Sequence, residues 1–266
     1  MYPFLFGVEF LDVYTILVIV GIFAAILLFK KLCAKFEVGD KTYSFYSLNA
    51  VISIGAGLVC ALLFQQLYNF IDSLRTGEKF VFGGITFFGG LVGGVLTFAL
   101  ITTFAAKPEV KKDFWLIANL AAPCIILGHA LGRYGCFCAG CCYGKPTDGF
   151  GFVFYGIDYK AIPTNLYEAL FLTVFFGVVT FLLFKFRRTD YLLILYGFAY
   201  AVFRFIIEFF RGDDRGQLIP GISPSQFISI LLFLAAATLT VLVFGYKIVP
   251  FAGKAKKHEK MQNPEA

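Results

Sequence analysis

Residues Gly128 to Thr147 read GHALGRYGCFCAGCCYGKPT and hold more reactive side chains than any other stretch of the 266-residue chain. His129 and Arg133 stand one helical turn apart at the end of an apolar run, so they share a helix face. Cys136, Cys138, Cys141 and Cys142 follow. A guanidinium takes a phosphate through two parallel charge-assisted hydrogen bonds, and an imidazole has the pKa range of a proton shuttle. A hydrogen-bonded histidine that only packs helices is the plainer reading of His129. A second apolar run carries Arg204, Glu208 and Arg211, with Tyr200 one turn before Arg204. Charges inside apolar runs cost at least a few kcal/mol in a bilayer and are kept where they face a cavity or a partner. Arg204 and Glu208, four apart, also satisfy the simpler account in which they pair with each other. Three guanidinium groups near the ends of two apolar helices nevertheless point to a phosphate, and in a membrane the phosphate at hand is a lipid headgroup. Tyr46 in an earlier run and Tyr167 with Glu168 in a later one add polar groups at membrane depth. Tyrosine is common at membrane interfaces; the glutamate is harder to dismiss.

The elements that position these residues follow from composition. Hydrophobic residues make up 59% of the chain and charged residues 15%, where a soluble domain carries about a quarter charged. The chain therefore reads as an all-α integral membrane protein, because the apolar runs are continuous rather than alternating as in a porin-like barrel. Spans are predicted at about 13–29, 43–68, 83–106, 114–133, 166–184, 191–210 and 222–244, each near the ~20 residues that cross a bilayer. Residues 1–248 form one seven-span domain in this reading, and 249–266 a basic tail containing His258. A removable signal peptide is not expected, since Glu9 and Asp12 precede the first run where a basic segment would stand. The formal charge of +6 argues for topology rather than nucleic acid. Lysine and arginine crowd alternate span ends (Lys30, Lys31, Lys35 and Lys41; Lys107, Lys111 and Lys112; Lys185, Arg187 and Arg188; the tail). The positive-inside rule then puts the N-terminus outside, the C-terminus in the cytoplasm and the cysteine loop facing out. In the third run Gly89 and Gly93, and Gly90 and Gly94, are spaced for close helix packing; a glycine-lined groove for an acyl chain or headgroup is the alternative.

Cys33, Cys60 and Cys124 lie in or beside spans and read as small buried hydrophobes. For the four loop cysteines, facing an oxidising compartment, two disulfides bracing the loop are the leading expectation, with three pairings. Zinc is an alternative, although C-x-C-x-x-C-C is more compressed than the usual paired C-x-x-C. A transiently acylated thiol is the third.

These motifs, in this order, resemble the bacterial prolipoprotein diacylglyceryl transferases. The family pattern Gly-Arg-x-Gly-Asn-Phe with a glycine-terminated loop is similar to Gly132, Arg133, Tyr134, Gly135, Cys136 and Phe137, with Gly144 closing the loop. Pro-Ser-Gln-Leu-Tyr-Glu resembles Pro163, Thr164, Asn165, Leu166, Tyr167 and Glu168. Tyr…Arg-Phe-x-x-Glu-Phe-Phe-Arg is matched by Tyr200, Arg204, Phe205, Glu208, Phe209, Phe210 and Arg211. Gly-Gly-x-x-Phe-His-Gly-Gly resembles Gly83, Gly84, Phe87, Phe88, Gly89 and Gly90. The resemblance implies transfer of a diacylglyceryl group from phosphatidylglycerol to the lipobox cysteine of a prolipoprotein, with release of glycerol phosphate, in the bacterial plasma membrane. It implies seven spans and no metal or other cofactor. Arg133 and Arg204 would hold the donor phosphate and stabilise the leaving group, Glu208 would orient Arg204, and Tyr46 and Tyr200 would line the cavity. Arg211, Gly144, Glu168 and Tyr167 complete the expected substrate-binding set. Phe88 stands at the family's histidine, Cys136 at its asparagine, Cys141 at a glutamate and Ile162 where a histidine often precedes the proline, which leaves His129 as the candidate base. Two other readings stay open: a lipid-using transferase with another acceptor, such as a surface polymer or lipid, and a non-catalytic lipid-binding or redox-active protein on the same scaffold.

Overall fold

The computed structural model describes residues 12–77, 79–84, 86–186, 190–212 and 221–245. The tail expected over 249–266, with His258, lies outside them, as do Arg187, Arg188 and Arg215. The helices are α1 (Val13–Lys35), α2 (Asp40–Thr76), α3 (Phe87–Phe104), the single turn α4 (Pro108–Lys111), α5 (Phe114–Ala139), α6 (Thr164–Phe186), α7 (Leu192–Ile207) and α8 (Pro224–Thr240). A 3-10 turn, Glu208–Phe210, extends α7, and a π-helical turn, Val241–Gly245, extends α8. Between α5 and α6 two short strands, β1 (Phe152–Val153) and β2 (Lys160–Ala161), pair antiparallel. The molecule is an all-α integral membrane protein in which, among the described residues, six helices are long and apolar enough to cross a membrane. The third expected span is shorter: Gly83 and Gly84 take positive φ angles of 153° and 79°, so the chain turns there and the helix starts only at Phe87. Polar flanks carry α2 beyond its expected ends, to Asp40 and to Thr76, where Gly77 closes it in the left-handed conformation.

The described residues fall into two compact units, one of residues 12–35 and 115–245, the other of residues 36–114. In the second unit α2 and α3 pack with backbones nearly touching. A Cβ on Gly93 would meet the Cys60 Cβ and Sγ, and one on Gly89 would lie 2.7 Å from the Phe64 Cβ and 2.8 Å from the Cys60 carbonyl oxygen. The glycine spacing therefore serves close packing, since small residues allow van der Waals contact and lipid supplies no hydrophobic drive. Asn49 donates to the Phe98 carbonyl oxygen and the Thr102 hydroxyl across the same pair. Gly93→Val is expected to destabilise the protein by about 2 kcal/mol through overpacking. The lowered midpoint of thermal unfolding in detergent reads it out. Gly177→Ala, where nothing lies within 4 Å of the added carbon, should leave the midpoint unchanged.

In the other unit α5 is the central element: half of its apolar window is buried, against 17–28% for α1, α6, α7 and α8. Close approaches set α5 against α1, where a Cβ on Gly21 would lie 3.3 Å from the Leu131 Cβ and one on Gly135 3.0 Å from the Tyr14 ring. Asn119, fully buried on α5, accepts from the Leu193 N–H at 3.1 Å. This satisfies one of the unpaired donors at the start of α7 and fixes the rotation of that helix against α5. The start of α8 is set by a capping box in which Ser223 and Gln226 exchange side-chain and backbone hydrogen bonds, with Pro224 at the first helical position.

Candidate active site

With α5, α6 and α7 so held, their polar residues converge. Glu168 is 1% exposed, among the most buried carboxylates a protein admits. Its Oε1 lies 3.0 Å from the Arg133 Nε, accepts from the Tyr200 hydroxyl at 2.7 Å and lies 3.8 Å from the His129 Nε2. The other ring nitrogen of His129, Nδ1, is 2.9 Å from the Tyr196 hydroxyl, and the His129 and Tyr200 rings meet edge to face at 4.8 Å. A buried charge is retained only when paired and hydrogen-bonded. Glu168 and Arg133 supply that pairing for one another from separate helices. Arg133 is bound through Nε, and among the described residues its two terminal nitrogens make no hydrogen bond, so they are open to a ligand.

One turn beyond Tyr200, Arg204 is 7% exposed. Its Nη2 is 2.9 Å from the Glu208 Oε2, as a charge contact rather than a well-aligned hydrogen bond. The same Nη2 donates to the Ser225 hydroxyl at 2.9 Å. The Ser223 hydroxyl donates to the Glu208 Oε1 at 2.9 Å, so the capped start of α8 orients both members of the pair. The Arg204 Nη1 is buried with no hydrogen-bond partner among the described residues. A buried N–H left unmade is costly, and here it offers a donor to an anion.

The cysteine segment is built differently from the sequence expectation. Span four does not end at Arg133; α5 continues to Ala139, so Cys136 and Cys138 lie in its last turn rather than in a loop. Gly140, with φ of 71°, ends the helix: its N–H bonds to the Phe137 carbonyl and that of Cys141 to the Cys136 carbonyl. This pair of bonds is a Schellman turn, and it folds Cys141 and Cys142 back over Cys136. The sulfur atoms of Cys136, Cys141 and Cys142 all lie within 4.8 Å of one another. Cys138, two residues along the helix, is not in the group, because residues two apart do not share a helix face. Two disulfides are the expectation for these four cysteines; among the described residues none of them is joined in one. The Cys141 thiol donates to the Cys136 carbonyl oxygen at 3.6 Å, and the neighbouring Cys136 and Cys141 side chains, with the Arg211 guanidinium, lower the Cys142 thiol below its ordinary range.

Gly144 then crosses the end of α7. It bridges to Arg211, while Lys145 donates to the Phe210 carbonyl oxygen at 2.8 Å and Gly144 to that of Ile162 at 2.7 Å. A Cβ on Gly144 would overlap the Phe210 carbonyl oxygen and lie 2.9 Å from Ile162 and Thr164 side-chain atoms. Gly144→Val is therefore expected to displace the loop and lower the reaction rate by about a hundredfold, the scale of an ångström's misplacement of a site. Circular dichroism should show unchanged helix content, and a wild-type rate would contradict the placement.

Of the expected residues, the structure brings together His129, Arg133, Glu168 and Tyr200, sets Arg204 and Glu208 one turn further along α7, and puts Arg211 and Gly144 beside the cysteines. Tyr167 takes no part in these hydrogen bonds. Tyr46 belongs to the other unit, where its hydroxyl donates to the Val110 carbonyl oxygen at 3.4 Å. The side chain of Phe88 is outside those described. Sequence reasoning missed Tyr196, Asn165, Ser223 and Ser225. The Ser-Pro-x-Gln cap of α8 was a readable signal for the serines, and the four-residue step from Tyr196 to Tyr200 a weaker one for the tyrosine.

A family model described as prolipoprotein diacylglyceryl transferase matches residues 3–242. The chain belongs to the prolipoprotein diacylglyceryl transferase family. Among similar proteins, a phosphatidylglycerol–prolipoprotein diacylglyceryl transferase of Clostridium tetani is 31% identical over 258 residues, covering 93% of this chain and 96% of its own. One from Bordetella parapertussis is 34% identical over 201 residues, 73% of this chain and 74% of its own. A Clostridium perfringens protein, phosphatidylglycerol–prolipoprotein diacylglyceryl transferase 2, is 28% identical over 263 residues, covering 96% and 97%. As a prolipoprotein diacylglyceryl transferase by family, the chain is a transferase whose arginines sit in a polar cluster among membrane helices.

Proposed function

We propose that the chain transfers the diacylglyceryl group of phosphatidylglycerol to the lipobox cysteine thiol of a prolipoprotein and releases glycerol phosphate. The observation that carries this reading is the buried Nη1 of Arg204, without a hydrogen-bond partner among the described residues, one turn along α7 from Tyr200, which shares Glu168 with a second guanidinium, Arg133. Donors fixed in apolar surroundings stabilise the second charge that develops on the leaving phosphate more than water does, because they need no reorganisation. Glu208, with Ser223 and Ser225, positions Arg204, and Glu168 with Tyr200 positions Arg133. His129 lies between Tyr196 and Glu168 and steadies the carboxylate that holds Arg133. The basic span ends support a position for this cluster at the outer leaflet of a bacterial plasma membrane, with the C-terminus in the cytoplasm.

The test combines purified protein, phosphatidylglycerol and a synthetic lipobox peptide, and follows peptide mass and glycerol phosphate together. A diacylglyceryl mass increment on the cysteine, absent from a serine peptide and from Arg133→Ala, is expected. Glycerol phosphate release without modified peptide would assign a different acceptor. Neither product from folded, lipid-bound protein would refute the reaction.

A further inference from the structure

The three gathered thiols have no part in the clamp just described. We infer that Cys136, Cys141 and Cys142 bind one soft divalent cation, of which zinc is the type, as three thiolate ligands, and that its fourth position takes the acceptor thiol. The second half of this inference rests on the proposed transfer reaction; the first does not.

Zinc–thiolate bonds of ~2.3 Å at tetrahedral angles put ligand sulfurs about 3.8 Å apart. The three sulfurs already lie within 4.8 Å of one another, so a closure of about 1 Å completes three corners of a tetrahedron. The backbone that presents them is tied down on all sides. The Schellman turn bonds Cys141 to Cys136. Asn165, fully buried, donates to the carbonyl oxygens of Cys136 at 3.4 Å and Cys141 at 2.7 Å, and the Thr164 hydroxyl donates to that of Cys142 at 3.0 Å. Cys142 is held at φ of 61°, a left-handed conformation that costs a non-glycine residue about 1–2 kcal/mol and persists where the surroundings over-determine it. A disulfide would use two of the three thiols; a tetrahedral ion uses all three and keeps one position open, the pattern of catalytic rather than structural zinc. Three thiolates and a divalent ion carry one net negative charge, which Arg211 faces through Cys142. Cys141 is exposed and Cys136 buried, so the open position is reached from the loop side.

A free cysteine thiol, with a pKa of about 8.5, is mostly protonated at neutral pH, and only the thiolate attacks. Coordination removes that proton outright. The acceptor sulfur binds the ion and releases its proton to water. Its electron pair then forms a sulfur–carbon bond to the glyceryl carbon carrying the phosphate ester. The carbon–oxygen bond breaks, and oxygen keeps the pair as glycerol phosphate leaves against Arg204. The metal is neither oxidised nor reduced, and the product thioether is a poorer ligand that departs.

The test loads the full-length protein in detergent with zinc or cobalt(II). Metal content is measured by mass spectrometry and thiolate ligation by the sulfur-to-cobalt charge-transfer band. About one ion per chain is expected, with affinity at least tenfold lower in Cys136→Ser, Cys141→Ser and Cys142→Ser and unchanged in Cys138→Ser. A lipobox cysteine peptide should shift the cobalt spectrum and its serine counterpart should not. Metal content no higher than in the triple serine variant overturns the site whatever the activity. Transfer at full rate in metal-stripped protein, or a spectrum unmoved by the cysteine peptide while transfer proceeds, overturns the acceptor role. Metal and peptide both bound with no transfer from phosphatidylglycerol supports the site and refutes the reaction instead.

Discussion

Glu168→Ala is expected to abolish transfer and to lower the stability of the protein by about 3–5 kcal/mol, because removing one partner strands the other as an unpaired buried charge. The stranded charge is Arg133, which Glu168 holds at 3.0 Å. Glu168→Gln separates the two effects. The amide oxygen still accepts from the Arg133 Nε and the Tyr200 hydroxyl, so the fold should survive, but the charge that steadies the guanidinium is gone. A fall of about a hundredfold or more in kcat, on the scale of losing one preorganised electrostatic contact, is expected with a much smaller change in the unfolding midpoint. Initial rates of glycerol phosphate release and thermal unfolding in detergent measure both quantities. A glutamine variant with wild-type kcat/KM would remove Glu168 from the mechanism and leave it a structural pair.

Arg204 should show a comparable loss with a different signature. Arg204→Lys keeps the charge but not the fork: one ammonium cannot hold Glu208 and Ser225 as Nη2 does while presenting a second donor to the phosphate. Both Arg204→Lys and Arg204→Ala are expected to lose about 10²–10³ in kcat/KM, and the alanine variant should also unfold more readily, with Glu208 left buried and alone. Replacing the pair together, Arg204→Met with Glu208→Leu, restores apolar packing and should recover stability without recovering transfer. Recovered activity in that double variant would mean that Arg204 serves the fold alone.

Much of this organisation could be read from the chain. Continuous apolar stretches of bilayer length identify helices because a backbone in lipid must satisfy its own hydrogen bonds. Ends are less legible: polar residues at the head of α2 and at the foot of α5 continue a helix as readily as they leave one, and the helix that carries Arg133 runs on to Ala139. The cysteines depend on this. Placed in a loop, C-x-C-x-x-C-C reads as disulfides and too compressed for a metal. Placed on a helix end closed by a Schellman turn, Cys136 and Cys138 part and Cys141 and Cys142 return to Cys136.

Local spacing explains the rest of the division. Arg204 with Glu208, and His129 with Arg133, were visible because four residues make one turn of a single helix, and the four family motifs lie in contiguous stretches. The sequence by itself thus determined the helical membrane class, the family and the arginines of the site. Only the tertiary structure decided that Arg133 answers to Glu168 rather than to its own helix, that His129 meets Tyr196, and that Ser223 and Ser225 at the head of α8 hold Glu208 and Arg204. These contacts join different helices, and their register is set by close approaches and buried caps such as Gly21 against Leu131 and Asn119 under Leu193. Periodicity along one helix carries no information about its rotation against another.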